Sequence, residues 1–181
     1  EGYVLYVSRF EPENNPDAVV RAYRGVPGGS PLVLVGSAPY AEGFIARLRE
    51  EAASDPRVLL PGAIYGAGYR ALLANAAAYV HATEVGGTHP ALVEAMGYGR
   101  PVLVHDTPEN REVAGDAAYF VNPDNVFEIA RGIKDVLLDE DLREKLVTRG
   151  FQQCRRFNWE DTARQVLATY ETVGMGREKP A

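Results

Sequence analysis

The stretch EVGGTHPALVEAMG, residues 84–97, combines residue types that suit a bound anion at the start of a helix. Gly86 and Gly87 leave the backbone bare, so a ligand can approach it closely. Thr88 can cap a helix, and the fixed φ of Pro90 favours the first helical turn. Free N–H groups and the positive end of the helix dipole would then meet at one point. A diphosphate suits such a point without any basic residue.

One acid, Glu94, stands alone in the helical pattern that follows. Its neighbours in the apolar pattern are Ala91, Leu92, Ala95 and Met96. Because Glu94 leaves that pattern, its carboxylate is free to accept hydrogen bonds from hydroxyls such as those of a ribose. His89 lies beside the same segment and can hydrogen-bond a sugar hydroxyl. The alternative is an ordinary capped helix with a solvated glutamate.

Two other segments follow predicted strands, and ligands of parallel sheets bind beyond the carboxyl ends of the strands. Arg9 comes after the first apolar run, and its rigid guanidinium fork suits phosphate oxygens. For Arg9 the alternative is a surface ion pair with Glu11 or Glu13. Gly36 and Ser37 close the second run, where a glycine permits either a tight turn or a close ligand approach.

Short apolar runs alternate with helical patterns along the chain, and these elements would position the residues above. The predicted strands are residues 3–7, 32–35, 58–60, 78–82 and 102–105. The predicted helices are residues 16–24, 42–54, 69–75 and 90–97, followed by 126–138, 141–157 and, after an Asn158 cap, 159–173. This alternation predicts an α/β fold with a doubly wound parallel sheet and extra C-terminal helices.

Composition favours one globular domain at residues 1–173, with a disordered tail at 174–181. Of the 181 residues, 46% are hydrophobic and 24% charged, and no run approaches the ~20 apolar residues of a membrane span. The formal net charge of −6 argues against a nucleic-acid surface. A core strand begins almost at Glu1, which suggests a cut inside a longer protein.

Cysteine and acidic residues offer little chemistry of their own. The single cysteine, Cys154, excludes an internal disulfide, suits a reducing compartment and is expected to be a buried or half-buried helix residue. The DED run at residues 139–141 has the spelling of a metal-binding motif. It lies between two helical patterns, however, and Asp141 suits a helix cap.

The three histidines do not form a zinc pattern. His81, His89 and His105 lack the paired spacing and the cysteine partners of zinc ligands. We therefore expect no metal and no cofactor. His81 and His105 stand at strand ends, where a structural role is expected.

Taken in order and spacing, several segments of the chain resemble one family. They are VSRFEPENN, LVLVGSAP, VLLPGAIYG, LLANAAAYVHAT, GGTHPALVEAMGYGRPVLVHD, NREVAGDAAYFVNPDN and FNWEDTARQVLATYE. Together they resemble the C-terminal, nucleotide-sugar-binding half of a family 4 glycosyltransferase with the two-domain GT-B architecture. The resemblance implies a Rossmann-like sheet that holds a nucleotide diphosphate sugar in a cleft. It also implies transfer of the sugar to an acceptor with retention of anomeric configuration.

The resemblance assigns roles to individual residues. Arg9 matches the catalytic arginine that balances the leaving diphosphate, and Glu94 matches an acid that binds the ribose hydroxyls. Asn14 stands where the family usually has a lysine. Gly86 stands where it usually has a first glutamate near the donor sugar, and Glu84 lies two positions too early to replace that glutamate.

The turn PGAIYG, residues 61–66, matches the family segment that holds the base. There Ile64 and Tyr65 are expected to contact it, although an exposed turn tyrosine is an equal alternative. The segment at Asn110, Arg111 and Glu112 resembles one that packs near the cleft, but a helix start is favoured. The full set expected to contact the donor is Arg9, Asn14, Gly36, Ser37, Ile64, Tyr65, Gly86, Gly87, Thr88, His89 and Glu94.

The resemblance also implies partners. The donor is a nucleotide sugar, and the acceptor is a glycan or glycolipid bound by an N-terminal domain absent from this chain, as in bacterial surface polysaccharide synthesis. We expect a cytoplasmic protein, peripheral to the inner face of the membrane through that other half, and no transfer by this domain alone. Two alternatives stay open: a non-catalytic nucleotide-sugar-binding module, used for regulation or scaffolding, and a nucleotide-sugar epimerase, which the VEAM and FNWE segments disfavour.

Overall fold

A computed structural model describes residues 2–175 and contains one six-stranded parallel sheet. The strands are β1 (Tyr3–Val7), β2 (Leu32–Val35), β3 (Val58–Gly62), β4 (Ala76–His81), β5 (Val102–His105) and β6 (Ala118–Val121). Their order across the sheet is β3-β2-β1-β4-β5-β6. The order reverses between β1 and β4, so a crevice opens at the carboxyl ends of these two strands.

Eight helices connect or follow the strands in the described part of the chain. They are α1 (Pro16–Tyr23), α2 (Glu42–Ala52), α3 (Gly66–Asn75), α4 (Pro90–Gly97), α5 (Pro108–Ala114), α6 (Val126–Leu138), α7 (Glu140–Cys154) and α8 (Trp159–Met175). The predicted α/β fold, with its doubly wound parallel sheet and extra C-terminal helices, is confirmed. Strand β6 was not predicted, and of helix α5 only a helix start at residues 110–112 was predicted.

The central strands are apolar because both faces of the sheet are covered. Val4 and Tyr6 pack into the cluster under α1, α2 and α6, whereas Leu5, between them, packs into the cluster under α3, α4 and α5. Alternating side chains therefore reach opposite layers, and no position on β2 is left for a polar residue. Each fully buried side chain of this size stabilises the fold by about 1.5–3 kcal/mol.

The C-terminal helices begin at acidic or amide caps. Asp139, and not the predicted Asp141, caps α7, because the helix begins at Glu140 and the Asp139 carboxylate accepts from Leu142 N at 2.9 Å. The predicted Asn158 cap is confirmed, since its side-chain oxygen accepts from a backbone N–H at 2.8 Å.

Helix α8 runs through residues 174 and 175, the first two of the predicted tail. The rest of that prediction, residues 176–181, lies outside the described residues. Within residues 2–175 no helix combines the length and the apolar character that a membrane span requires. Cys154 is half-buried at the end of α7, as predicted.

Candidate functional site

The loops after β1 and β4 are hydrogen-bonded to each other across the crevice. The side-chain amide of Asn15 donates to the Ala82 carbonyl at 2.9 Å and to the Glu84 carboxylate at 3.1 Å. The N–H of Glu84 in turn donates to the Glu13 carbonyl at 2.9 Å. Asn15 has a left-handed backbone, with φ 54°, a conformation that asparagine tolerates better than most residues. Asn15 was not among the predicted site residues, and the Asn-Pro pair at 15–16 was the signal for a turn there.

Helix α4 begins without a side-chain cap. Its N-cap residue is His89, and no side chain accepts a hydrogen bond from the first turn, so the predicted capping by Thr88 is wrong. Because Pro90 fixes the first helical position, the cap falls on the residue directly before it.

The turn before α4 keeps unused hydrogen-bond donors. Over residues 2–175, the backbone N–H groups of Gly86, Gly87, Thr88, His89 and Ala91 make no hydrogen bond to another part of the protein. These groups surround the positive end of the helix at the switch point of the sheet. The arrangement can bind an anion through backbone dipoles alone.

His89 folds back over the glycine-rich turn. Its ring lies so close to Gly86 that a Cβ at that position would fall 2.7 Å from Nε2 and closer still to Cε1. The ring also packs on His81, with 4.5 Å between centroids and planes tilted by 54°. Burial lowers the pKa of the half-buried His89 below its ordinary value, so its imidazole is neutral at pH 7.

His81, on which this ring packs, is buried, and the structural role of His81 and His105 stays a prediction. Burial, helped by His89 and His105, lowers the pKa of His81 to about 3. Asn110 donates to the carbonyls of Thr83 and His105, each at 3.0 Å, and thereby joins the loops after β4 and β5. Among the described residues, His81 Nε2 and His105 Nδ1 have no hydrogen-bond partner.

Asn110 therefore belongs to the framework of the site. It lies in the first turn of α5, where its N–H donates to the Thr107 cap, so the predicted helix start is confirmed. Arg111, the next residue, pairs with Asp106 and lies over the Phe120 ring.

Glu94 is exposed on α4, but it is not simply solvated. The Tyr69 hydroxyl, on α3, donates to its Oε2 at 2.6 Å. Burial, followed by this hydrogen bond to an anion, raises the pKa of Tyr69. Tyr69 therefore orients one carboxylate oxygen and leaves the other for a ligand.

Arg9 is exposed and already paired. Its Nε lies 3.3 Å from Glu11 Oε2, and its Nη1 lies 3.4 Å from the Tyr40 hydroxyl. Tyr40 also donates a short hydrogen bond to the other oxygen of Glu11. The structure thus shows the ion pair with Glu11 that was the alternative reading of Arg9, on the side of the loop that follows β2. Glu11 is buried, whereas the Arg9 side chain is 72% exposed, so the guanidinium is the member of the pair that a phosphate can reach.

Asn14 and Gly36 support the backbone around Arg9. The buried Asn14 donates to the Arg9 carbonyl at 2.8 Å, and its own carbonyl accepts from Tyr6 at 2.6 Å. Gly36, with φ 159°, faces the Ser8 carbonyl, which a Cβ would overlap. The close approach that a glycine permits here is made by the protein itself. Contact of Asn14 and Gly36 with a donor stays a prediction.

The remaining predicted residues lie along the same edge of the sheet. Ser37 is exposed after β2, Ile64 is partly buried against the core, and Tyr65 is 82% exposed as the N-cap residue of α3. The exposed turn tyrosine is thus what this chain shows. Contact of these three residues with a base stays a prediction.

Two cavities flank the start of α4. One of about 400 Å³ lies between α4 and the start of α8, and its lining includes Glu94, Arg156 and Trp159. The other, of about 250 Å³, is lined by Thr88, Glu112 and Arg156, among others. Arg156 was not among the predicted site residues, because its position at the α7–α8 junction is distant in sequence from every strand end.

No metal site accompanies this edge. Within the described ranges, no cluster of three or more histidine, cysteine or acidic residues is placed to hold a metal ion. Asp139, from the acidic run considered above, is used as a helix cap.

Comparison with known proteins identifies the family of the chain. A family model described as "Glycosyl transferases group 1" matches residues 1–153. The chain is 28% identical over 177 residues to O-antigen chain mannosyltransferase B of Escherichia coli, an alignment that covers 96% of this chain and 46% of that protein. It is 29% identical over 185 residues to phosphatidyl-myo-inositol mannosyltransferase of Mycobacterium leprae, covering 97% and 48% respectively. The chain therefore spans about half the length of these curated relatives.

Solved structures show the same fold. HepE from Anabaena, in complex with UDP and glucose, superposes with a TM-score of 0.85 at 20% identity, covering 94% of this chain and 48% of that one. Sucrose-phosphate synthase from Thermosynechococcus elongatus gives a TM-score of 0.82 at 27% identity, covering 97% and 46%. The predicted Rossmann-like half of a GT-B fold is confirmed by these likenesses.

Proposed function

Because the chain belongs to the glycosyl transferases group 1 family, we propose that it is the C-terminal, donor-binding half of a retaining family 4 glycosyltransferase. Its ligand is a nucleotide diphosphate sugar, held in the crevice between β1 and β4. The observation that carries this proposal is the uncapped start of α4, where five backbone N–H groups lack partners in the described chain. A pyrophosphate supplies acceptors for such donors without requiring a metal or a cofactor.

The reaction breaks the bond between the anomeric carbon and the diphosphate oxygen, and a new bond forms to the acceptor oxygen. Negative charge grows on the departing diphosphate while the sugar becomes oxocarbenium-like. Fixed dipoles at α4 and the guanidinium of Arg9 stabilise that charge, and the acceptor proton leaves with the diphosphate or to solvent. Arg9 must first exchange its Glu11 partner for phosphate oxygens.

Glu94 holds the nucleoside end. Its Tyr69-oriented carboxylate accepts hydrogen bonds from the ribose hydroxyls, while Ile64 and Tyr65 contact the base. Gly86, Gly87 and Thr88 present their amides to the phosphates.

The acceptor is a glycan or glycolipid. Support comes from the curated relatives, whose names specify mannosyl transfer in O-antigen chains and to phosphatidyl-myo-inositol. Because the relatives are about twice as long as this chain, we propose that an N-terminal domain binds the acceptor and that this chain alone transfers nothing. We place the protein in the cytoplasm, peripheral to the inner face of the membrane through that other half.

A second function is favoured by the pairing of Arg9 and by two departures from the family pattern. Arg9 is committed to Glu11 and Tyr40, and Asn14 and Gly86 stand where the family usually has a lysine and a glutamate. A module that binds a nucleotide sugar without transferring it would show these features as well.

Binding and turnover separate the two functions. The chain should bind one of UDP, GDP or dTDP in a calorimetric titration at one site per molecule. Failure of all three would overturn both functions. In a polypeptide that carries the chain together with an acceptor-binding half, hydrolysis or transfer of the matching nucleotide sugar identifies the enzyme, whereas binding without turnover identifies the module.

A further inference from the structure

His89 occupies a space that a side chain at position 86 would otherwise fill. Gly86 has φ 149°, and an added Cβ would lie 2.7 Å from His89 Nε2, with Cε1 nearer still. Both residues belong to the turn whose backbone N–H groups are unbonded within the described chain. An imidazole edge therefore stands in the middle of the proposed diphosphate turn.

The His89 ring is held in place by packing on His81. It packs on His81 at 4.5 Å, and His81 is itself buried and stacked with Tyr79 at 6.4 Å. The imidazole is thus held by packing on one face. The rest of the ring is half-exposed.

The protonation state of His89 limits what it can bind. Burial lowers its pKa, so the ring carries one N–H donor and one bare acceptor nitrogen at neutral pH. A neutral imidazole matches a hydroxyl, which both donates and accepts, better than it matches a phosphate, which calls for a cation. The ring therefore differs in chemistry from the amides around it.

Building on the proposed function, we propose that His89 hydrogen-bonds a hydroxyl of the transferred sugar and thereby selects the donor sugar. The sugar is attached directly to the diphosphate, so its hydroxyls must lie next to the turn that holds the phosphates. His89 belongs to that turn, and its ring lies against the bare Gly86. A site that hydrogen-bonds a substrate hydroxyl rejects analogues that lack it far more strongly than an apolar pocket does.

The test compares ligands with and without the sugar. Affinities of the chain for UDP and UDP-glucose, and for GDP and GDP-mannose, are measured by calorimetry for the original chain, His89→Phe and His89→Gln. His89→Phe keeps a ring on His81 but removes both nitrogens. His89→Gln keeps a donor and an acceptor.

We expect the variants to change the ratio of two affinities, that for the nucleotide sugar and that for its bare nucleoside diphosphate. For the pair that binds, His89→Phe should weaken the nucleotide sugar about tenfold relative to its bare diphosphate, as one lost hydrogen bond near 1.4 kcal/mol requires. His89→Gln should restore much of that loss, and diphosphate affinity should stay within about twofold in both variants.

The outcomes separate this inference from the function on which it rests. Intact diphosphate binding with an unchanged ratio in His89→Phe would overturn the role of His89 and leave the proposed function standing. Absence of diphosphate binding in the original chain would overturn both. An equal loss for the sugar and the bare diphosphate would show that His89 only shapes the turn, which also contradicts the proposal.

Discussion

The two sides of the crevice differ in how much of their hydrogen-bonding capacity is already in use. On the β1 side, Arg9 is paired with Glu11, Tyr40 bonds to the same carboxylate, and Asn14 holds the Arg9 carbonyl. On the β4 side, the N–H groups between Gly86 and Ala91 have no partner in the described chain. On the β1 side, Arg9 must leave Glu11 before it can bind a ligand. On the β4 side, the backbone N–H groups can bind a ligand without leaving another partner.

This difference suggests a division of labour. In the proposed function, fixed amides would hold the diphosphate in the ground state without exchanging partners, whereas Arg9 would gain most when charge develops on the leaving group. Interactions that strengthen only in the transition state raise turnover more than binding. Mutations on the two sides should therefore affect different measurements.

Replacement of Arg9 should have the largest effect on catalysis. In a polypeptide with both halves, Arg9→Ala should reduce kcat about 10²–10³-fold, equivalent to roughly 3–4 kcal/mol, because a transition-state donor is lost. Diphosphate affinity should weaken only a few-fold, and the fold should be unaffected, since the guanidinium is 72% exposed. Steady-state kinetics and calorimetry check this. Equal losses in turnover and in diphosphate binding would show that Arg9 already contacts the diphosphate in the ground state. The two sides of the crevice would then not differ in their roles.

Acid should destabilise the β4 side through His81. Its folded pKa, about 3, lies below the 6.5 of an unfolded histidine, so the unfolded chain binds the proton first as pH falls. Stability is therefore full above pH 6.5 and declines as the pH falls toward 3. Between about pH 6.5 and 4.5, this group should lower the free energy of unfolding by about 2 kcal/mol.

Urea unfolding across that pH range, compared with His81→Phe, measures the effect. The variant should show a flatter pH dependence than the original chain. If the free energy of unfolding had the same pH dependence in both proteins, His81 would take up its proton equally well in the folded and unfolded chains. Its imidazole would then be accessible to water.

Removal of the Glu94 charge should weaken nucleoside binding. Glu94→Gln should reduce diphosphate affinity by about 1.5–3 kcal/mol if the carboxylate accepts from ribose hydroxyls. A 2′-deoxy ligand supplies the matched control, because the same substitution should matter less once a hydroxyl is missing. Tyr69→Phe should also weaken diphosphate binding, but by less. It removes the hydrogen bond that orients the Glu94 carboxylate and leaves the charge in place.

Release of Arg9 from Glu11 should have the smallest effect, and it should raise diphosphate affinity where the other substitutions lower it. Glu11→Gln removes the competing carboxylate while keeping a side chain that Tyr40 can still contact. Diphosphate affinity should improve a few-fold, because Arg9, the exposed member of the pair, no longer has to leave a carboxylate. Glu13→Gln, a neighbour that forms no ion pair within residues 2–175, is the control. Weaker diphosphate binding by Glu11→Gln would show that the ion pair holds Arg9 in the position from which it contacts the phosphates.

Local signals in the sequence predicted much of the fold. Strands buried on both faces produce continuous apolar runs, so β1, β2 and β5 were located residue for residue. Strand β6 escaped because it is a four-residue edge strand whose side chains are mostly half-buried. Helix α5 was predicted only as a helix start near Asn110, because it has only seven residues and several charges.

The candidate site was predictable where its geometry is local. Bare backbone before α4 follows from two glycines and a proline, although the cap was placed one residue too early, on Thr88 and not His89. Contacts between distant segments gave no such signal. The Asn15 bond to Glu84 joins residues 69 positions apart, and the Tyr69 bond to Glu94 joins residues 25 apart.

We propose above all that backbone amides before α4 bind the diphosphate. Amide ¹⁵N–¹H spectra of the labelled chain, recorded during a titration with the nucleoside diphosphate that binds, test it directly. We expect the signals of Gly86, Gly87, Thr88 and Ala91 to shift most and to become protected from hydrogen exchange. Saturated binding that leaves these four signals in place would contradict it.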